Sequence, residues 1–337
     1  MSLPNGISIV ICTYNGVKRL GPTLHAIFAL KNLPSINWEL IVIDNASTDD
    51  TSSFCIELIK KNNFENKSKV ILESQAGCNH ARMRGLLEAQ YKWLLFCDDD
   101  NHLFDDYLVN AWKILETNDK IGVLGGYGIP LFESEKPEWF DQYSKSFAVG
   151  PQSNQNGKIN SQKRKLYSAG SFFRKEALLF YYDKGFNAIM EGPKGDELTR
   201  GEDTEWCIML ELIGYELWFE SSLKFNHFMS DGRMTWQYYL KLKKGIASGK
   251  AKFEAYKPLI KLNKPNHLSF IRNYLYQSVL FHFIWIQFEI KKILLKKYYS
   301  QEDVEIGNSI HPTVAKSYRD NFSKTFIHFK QLRFILK

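Results

Sequence analysis

The sequence predicts an α/β fold, a mainly parallel central sheet flanked by helices and followed by a helical C-terminal extension. Three observations predict it. Short apolar runs alternate with amphipathic stretches through the first 130 residues, the pattern of successive βα units. Each early run ends in polar residues, where parallel sheets open their ligand crevices. Beyond Trp236 the chain turns helical, basic and aromatic.

Element by element, ISIVIC (7–12), ELIVI (39–43), 70–72, WLLFC (93–97) and 121–124 read as buried strands. Helical windows near 20–30, 51–61, 79–89 and 104–117 supply the crossovers between them. The polar strand ends are Thr13-Tyr14-Asn15, Asp44-Asn45 and Asp98-Asp99-Asp100. From 125 to about 165, clusters of Gly, Pro, Ser and Asn predict extended loops rather than new core. Over 201–220 a helix and a strand are expected: Asp203 or Thr204 caps, Trp206, Met209, Leu210 and Ile213 share a face, Gly214 stops the helix and YELWFE follows. The expected division is a main domain over 1–240 and an extension over 241–337.

Composition narrows the class. The chain has 337 residues, 44% of them hydrophobic and 24% charged, which is globular and long enough for a sizeable core. Five cysteines without a C-x-x-C pair argue against a disulfide framework or zinc knuckle and for a reducing compartment. The first apolar run spans six residues behind no basic segment, too short for a signal peptide, so a cytoplasmic start is expected. The apolar stretch 274–290 is interrupted by Gln277, His282, Gln287 and Glu289 and fails as a membrane span. Net charge is +7, yet 241–299 carries twelve Lys and one Arg against Glu254 and Glu289, leaving the rest slightly acidic. A basic tail seeks an anionic surface. Nucleic acid is disfavoured because no binding motif accompanies the charge. The expectation is therefore an anionic membrane inner face, with packing on the main domain or a homo-oligomeric contact as the alternatives.

Chemistry concentrates in five strings and one tryptophan. In FCDDDN, three carboxylates close an apolar strand and repel one another unless a cation neutralises them; hard oxygen ligands suit Mg²⁺ or Mn²⁺, although acids there can also merely cap the next helix. In RGEDTEWC, Glu202 and Asp203 open a helix, and a carboxylate held there can serve as a general base or simply as an N-cap. IVIDNASTDD ends a strand on Asp44, an acceptor for a nucleobase or ribose, while QAGCNHARMRG offers Arg82 and Arg84 for base stacking or phosphate contact. His227 in FNHFMSDGR is a metal-ligand candidate and Arg233 a diphosphate contact, both conditional on the other clusters. Trp139 can stack on an acceptor sugar or anchor its loop.

These strings, in order, are SIVICTYNG, ELIVIDNASTDDT, QAGCNHARMRG, LLFCDDDN, GGYGIP with KPEWF, SAGSFFRKEAL, GEDTEWCIMLELIGYELWF, and a His with an Arg six residues later. Over residues 7 to about 250 the chain resembles a family 2 glycosyltransferase of the GT-A nucleotide-sugar-binding fold. The resemblance implies an inverting enzyme that moves one sugar from a nucleotide-diphosphate sugar, UDP-linked by first expectation, to a hydroxyl of a glycan or lipid-linked glycan. It implies nucleotide contacts at Thr13, Asp44 and Arg82 and a metal and ribose motif at Asp98 and Asp100; Tyr14, Asn15, Asn45, Asp99 and Arg233 are expected beside them at the donor. It assigns a Mn²⁺ or Mg²⁺ ion to Asp98, Asp100 and His227 and the base to Asp203 with Glu202 beside it; Trp139 in the irregular segment is the expected acceptor contact. Two departures stand out: Asn45 where many members have a second Asp, and Met83 where Asn is usual. The Q-x-x-R-W string of processive members is absent, which favours single-sugar addition.

Rival readings fit less well. A dehydrogenase would carry G-x-G-x-x-G after the first strand, where TYNG stands, and a nucleotidyltransferase would carry a Gly-rich basic loop there. The remaining alternative is a non-catalytic nucleotide-sugar or glycan-binding protein docked at the membrane surface, against which the retained Asp98, Asp100 and Asp203 speak.

Overall fold

The computed structural model describes residues 3–31, 36–159, 165–193, 198–262, 265–295 and 299–337. The chain divides into two compact units, Met1–Phe180 with Trp206–Met234, and Tyr181–Glu205 with Thr235–Lys337.

The first unit begins with βα units. Strand β1 (Ile7–Thr13) leads to helix α1 (Val17–Phe28), β2 (Trp38–Asn45) to α2 (Thr51–Lys61), and β3 (Ser68–Glu73) to α3 (Cys78–Glu88). Then come β4 (Trp93–Asp98), β5 (Asn101–Leu103), α4 (Tyr107–Leu115), β6 (Ile121–Phe132), α5 (Phe140–Tyr143), β7 (Gly157–Lys158), β8 (Ser171–Arg174) and α6 (Lys175–Tyr182). Helix α7 (Glu202–Leu212) and β9 (Glu216–Met229) follow. The strands form one mixed sheet in the order β3-β2-β1-β4-β8-β6-β9-β5, with β7 on β9. β3, β2, β1 and β4 are mutually parallel, as are β6 and β9, while β8 runs antiparallel between β4 and β6. β1 and β2 are buried almost throughout, which is why their sequences are continuous apolar runs rather than alternating ones. Leu20, Leu24 and Ile27 of α1 share the core with Ile9, Leu40 and Leu95 of the sheet.

Two elements depart from the sequence reading. The expected loop from Gly125 is the second half of β6, which pairs with β9 as far as Phe132. Its glycines are there for close packing: a Cβ on Gly126 would lie 2.3 Å from the Tyr107 hydroxyl and 2.6 Å from the Leu223 carbonyl. Farther along the same segment, Phe140, Phe147 and Ile159 are buried, so it contributes core; 160–164 lie outside the described residues. Second, β9 continues past YELWFE through Ser221 and Ser222, so His227 sits inside a strand instead of after one.

The second unit adds α8 (Trp236–Ser248), α9 (Lys257–Lys261), α10 (His267–Leu294), α11 (Gln301–Asp320) and α12 (Phe322–Ile335). A capping box at Asn266 and Ser269 starts α10. α10 and α11 pack antiparallel through Tyr274 on Tyr318, Phe281 on Tyr318 and Phe288 on His311, at ring separations of 5.3, 5.4 and 4.7 Å. Among the described residues no helix is long and apolar enough to cross a membrane. Of the cations in 241–299, Lys264, Lys296 and Lys297 lie outside the described residues.

A buried polar cluster holds this unit together. The carboxylate of Glu205 accepts hydrogen bonds from the Ile189 and Met190 amides (3.1 and 3.2 Å) and from the Tyr256 hydroxyl (2.5 Å), which also meets His328 Nε2 at 2.8 Å. Burial pushes the Glu205 carboxyl from 4.5 up to about 7, against the pull of those donors, and drives His328 down to about 3. Glu205 therefore keeps a proton in the native state that the unfolded chain loses near pH 4.5. Its contribution to stability is complete below that pH and is lost as pH rises through 7, a change of about 3 kcal/mol. Glu205→Gln is expected to flatten this dependence, so that its urea midpoint exceeds that of the parent at pH 8 and the gap closes towards pH 5. Parallel pH profiles for the two proteins would contradict the assignment.

Candidate active site

The parallel register of the first strands builds one side of the site. Thr13 is the β-partner of Asp44, and Cys12 is the partner of Asp98, so the three polar strand ends lie in a row at the carboxyl edge of the sheet. This is where open α/β sheets bind ligands. The loops after β1 and β2 are laced together. Asn15, in the left-handed region at φ 50°, accepts from the Thr48 amide (2.8 Å) and donates its own amide to Ser47 Oγ (2.9 Å), and the Gly16 amide donates to Thr51 Oγ1 (2.8 Å). Asp44 is buried and accepts from the Ser52 hydroxyl and the Ser47 amide. Tyr14 is left exposed beside them.

Asp99 is braced from β1 and α1. Its carboxylate accepts from Thr13 Oγ1 (2.7 Å) and from Arg19 Nη2 (2.7 Å) and Nε (3.2 Å), while Thr23 Oγ1 donates to its carbonyl. Burial raises its pKa even so, with the Asp100 charge adding to the rise and Arg19 opposing it. Thr13 and Asp99, both expected at the nucleotide, thus hold each other in the structure. Arg19 was not foreseen; its signal is the i,i+4 spacing with Thr23, which sets both on the helix face turned to the strand ends.

Asp100 is the centre of a second cluster. The antiparallel pairing of β5 with β9 sets His227 opposite Asn101. His227 Nε2 lies 3.4 Å from Asp100 Oδ1, and Arg233 Nη1 donates to Asp100 Oδ2 at 2.5 Å. Burial alone would raise the Asp100 carboxyl, but the charges and hydrogen bonds of His227 and Arg233 hold it well below the usual carboxylate range. His227 Nδ1 is buried and has no hydrogen-bond partner among the described residues. Among the described residues no three His, Cys, Asp or Glu side chains converge as a complete metal cage. A carboxylate and an imidazole face to face are instead an incomplete donor set, of the kind Mg²⁺ or Mn²⁺ completes with substrate phosphates and water. These residues fit such an ion.

Asn45 and Arg82 finish the row. Asn45 Nδ2 donates to the Gln75 carbonyl (2.8 Å) and Oδ1 accepts from the Gly77 amide (2.8 Å), fastening the loop that precedes α3. An Asp could not make both bonds. Asn45→Asp is therefore expected to cost about 1–3 kcal/mol, the range for a buried bond replaced by facing acceptors; an unchanged urea midpoint would contradict it. Arg82 is buried, donates to Ser168 Oγ (2.7 Å) and lies 5.8 Å from the Phe96 ring. Arg84 pairs with Glu88 of the same helix at 2.9 Å.

Glu202 and Asp203 open α7 and belong to the second unit. Glu202 folds back to accept from the Gly201 amide (2.9 Å), and Asp203 Oδ1 accepts from the Thr204 amide (2.6 Å). The helix already begins at Glu202, so Asp203 lies within the first turn and neither it nor Thr204 is the N-cap. α7 continues into the first unit, where Trp206 packs on Phe96 and Phe173 with ring centroids 5.2 and 5.5 Å apart. Trp139 is half-buried against Phe140 and Phe147, which suits an anchor as well as a stacking surface.

Comparison with known proteins follows the same lines. The family model described as glycosyl transferase family 2 matches residues 8–180, more than half of the chain. The dolichyl-phosphate beta-glucosyltransferase of Saccharomyces cerevisiae is 32% identical over 119 residues, covering 33% of this chain and 36% of the yeast protein. The glucosyl-dolichyl phosphate glucuronosyltransferase of Haloferax volcanii is 21% identical over 66% of this chain and 68% of its own. The chain thus spans only about a third of the length of the yeast relative. Among solved structures, Staphylococcus aureus TarS 1-349 in complex with UDP-GlcNAc superposes with TM-score 0.53 at 16% identity, over 94% of this chain and 92% of that one. The Pyrobaculum calidifontis mannosyltransferase with GDP-Man and Mn²⁺ gives 0.55 at 14% identity, over 99% and 87%. At these identities the likeness shows a shared fold.

Proposed function

The chain belongs to glycosyl transferase family 2, and from that premise we propose that it is an inverting enzyme transferring one sugar from a UDP-linked donor to a hydroxyl of a glycan or lipid-linked glycan. The observation that carries the reading is the row Asp44, Thr13 and Asp98 at one sheet edge, with Asp100, His227 and Arg233 clustered after β4. In this reading Asp44 and Asp98 accept from the nucleoside, and Tyr14, Asn15, Asn45 and Asp99 shape its cleft. Arg82 and Arg233 lie towards the diphosphate. Asp98, Asp100 and His227 would hold a Mn²⁺ or Mg²⁺ ion, which when bound supplies positive charge against the leaving diphosphate.

The chemistry is a single displacement. Asp203 takes the proton from the acceptor hydroxyl as its oxygen bonds to the anomeric carbon. The bond from that carbon to the diphosphate oxygen breaks on the opposite face, the electron pair leaves with the diphosphate, and the configuration inverts. Support for Asp203 as base, with Glu202 beside it, is its place within the first turn of α7 rather than at a cap. Trp139 is proposed at the acceptor. The proposed setting is the cytoplasm, with exposed cations such as Lys244 and Lys261 facing the inner leaflet. Proton NMR of the product tests the reaction: an anomeric configuration opposite to the donor's supports it, and retention of the donor configuration overturns it.

A further inference from the structure

Helix α10 presents an apolar stripe left uncovered among the described residues. Tyr276, Val279, Phe283, Ile286, Ile290 and Ile293 are 49–75% exposed and follow one another at spacings of three and four residues. That 3-4 alternation over nearly three heptads is the seam of one helix packed on another. The opposite face of α10 is already used, since Phe270, Tyr274 and Phe288 are buried against α11 and α12. Beside the C-terminal half of the seam lies a groove of about 480 Å³ between α10 and α11 with a mixed lining, Ile284, Phe288 and Ile306 together with Gln287, Lys291 and Asp303.

We propose that this seam is a dimer interface, occupied by α10 of a second copy of the chain. With the neighbouring Leu268, Leu275 and Leu294 the patch has nine apolar side chains. At roughly 100 Å² each it reaches about 900 Å² per partner. That matches the ~800 Å² per partner of stable interfaces and exceeds the ~300–600 Å² of the largest patch on a typical monomer. Charge decides between a protein and a lipid occupant. A helix lying in a lipid interface borders its apolar face with Lys and Arg. Here the flanking positions are Leu275, Leu280, His282, Gln287, Glu289 and Leu294, and the cations of α10 stand near its ends: Arg272, Lys291, and Lys292, the last already paired with Glu289 at 2.5 Å. An apolar seam whose one flanking charge, Glu289, is already paired within its own helix is self-complementary, as a two-fold contact requires.

Sedimentation velocity of the whole chain from about 1 to 100 µM tests this, with unchanged far-UV circular dichroism and thermal midpoint as the check on folding. The parent protein should sediment at twice the 39.3 kDa of one chain. Phe283→Glu with Ile286→Glu should be monomeric throughout, and the milder Val279→Ser with Ile290→Ser should raise the dissociation constant at least tenfold. Phe334→Glu, which removes an exposed apolar residue of α12 instead, should leave the dimer intact. A parent protein that is monomeric at 100 µM overturns the proposal, as does a dimer insensitive to the α10 changes. So does a monomer that binds phosphatidylglycerol vesicles through these same residues.

Discussion

Asp203→Asn is expected to leave nucleotide-sugar affinity within about twofold of the parent and to lower the transfer rate by ~10²–10⁴-fold, the usual contribution of a general base. The substitution keeps size and hydrogen-bonding shape and removes only the capacity to take a proton. A structural role would give a different result. Asp203 accepts from the Thr204 amide in the first turn of α7, and an Asn carbonyl can accept there too. The loss of a negative charge near a helix N-terminus costs only about 0.3–1 kcal/mol of stability. Transfer measured by UDP release in the presence of acceptor, beside donor affinity by calorimetry, separates the cases. A rate within tenfold of the parent would place the base elsewhere.

Asp100→Asn is expected to remove the divalent-ion dependence of donor binding. In the parent protein Mn²⁺ should tighten UDP-sugar binding, and chelation should reverse the effect. In the variant, affinity with Mn²⁺ should fall by at least ~10–100-fold, since that much is lost when only a hydrogen-bonding partner of a ligand is removed and Asp100 is the proposed ligand itself. The reason is local. Asp100 is the carboxylate shared by His227 and Arg233, and its Oδ1 faces the imidazole nitrogen. Asn keeps the side-chain volume, which limits the disturbance to Arg233, and calorimetry with and without EDTA reads the result. Equal Mn²⁺-dependent affinities in parent and variant would show that Asp100 holds no ion.

Much of the fold was legible because β1, β2 and β4 are buried strands, whose unbroken apolar runs end abruptly in the polar residues that line the sheet edge. What periodicity could not reveal lies in long-range pairing. The glycines of β6 read as a loop because their cause, contact with Tyr107 and Phe225, is tertiary. Ser221 and Ser222 look like a turn, yet they pass through the middle of β9, and only the β5–β9 register brings His227 to Asp100. Arg19 and Lys18 are indistinguishable by composition; helix phase alone aims Arg19 at Asp99. Glu205 lies in the charged string RGEDTEWC, and its burial depends on Tyr256 and His328 from far along the chain. Site geometry was therefore least legible where two distant segments must meet.

The donor site is tested most directly by equilibrium unfolding of the parent protein with UDP-GlcNAc and Mn²⁺, beside GDP- and dTDP-sugars under the same conditions. A ligand at 100 times its dissociation constant should stabilise the native state by about 2.7 kcal/mol. The expected result is a concentration-dependent gain of that size with a UDP-sugar, reversed by EDTA and absent from Asp100→Asn. No shift with any of the three nucleotide classes, up to millimolar concentration, would contradict the assignment of this sheet edge as a nucleotide-sugar site.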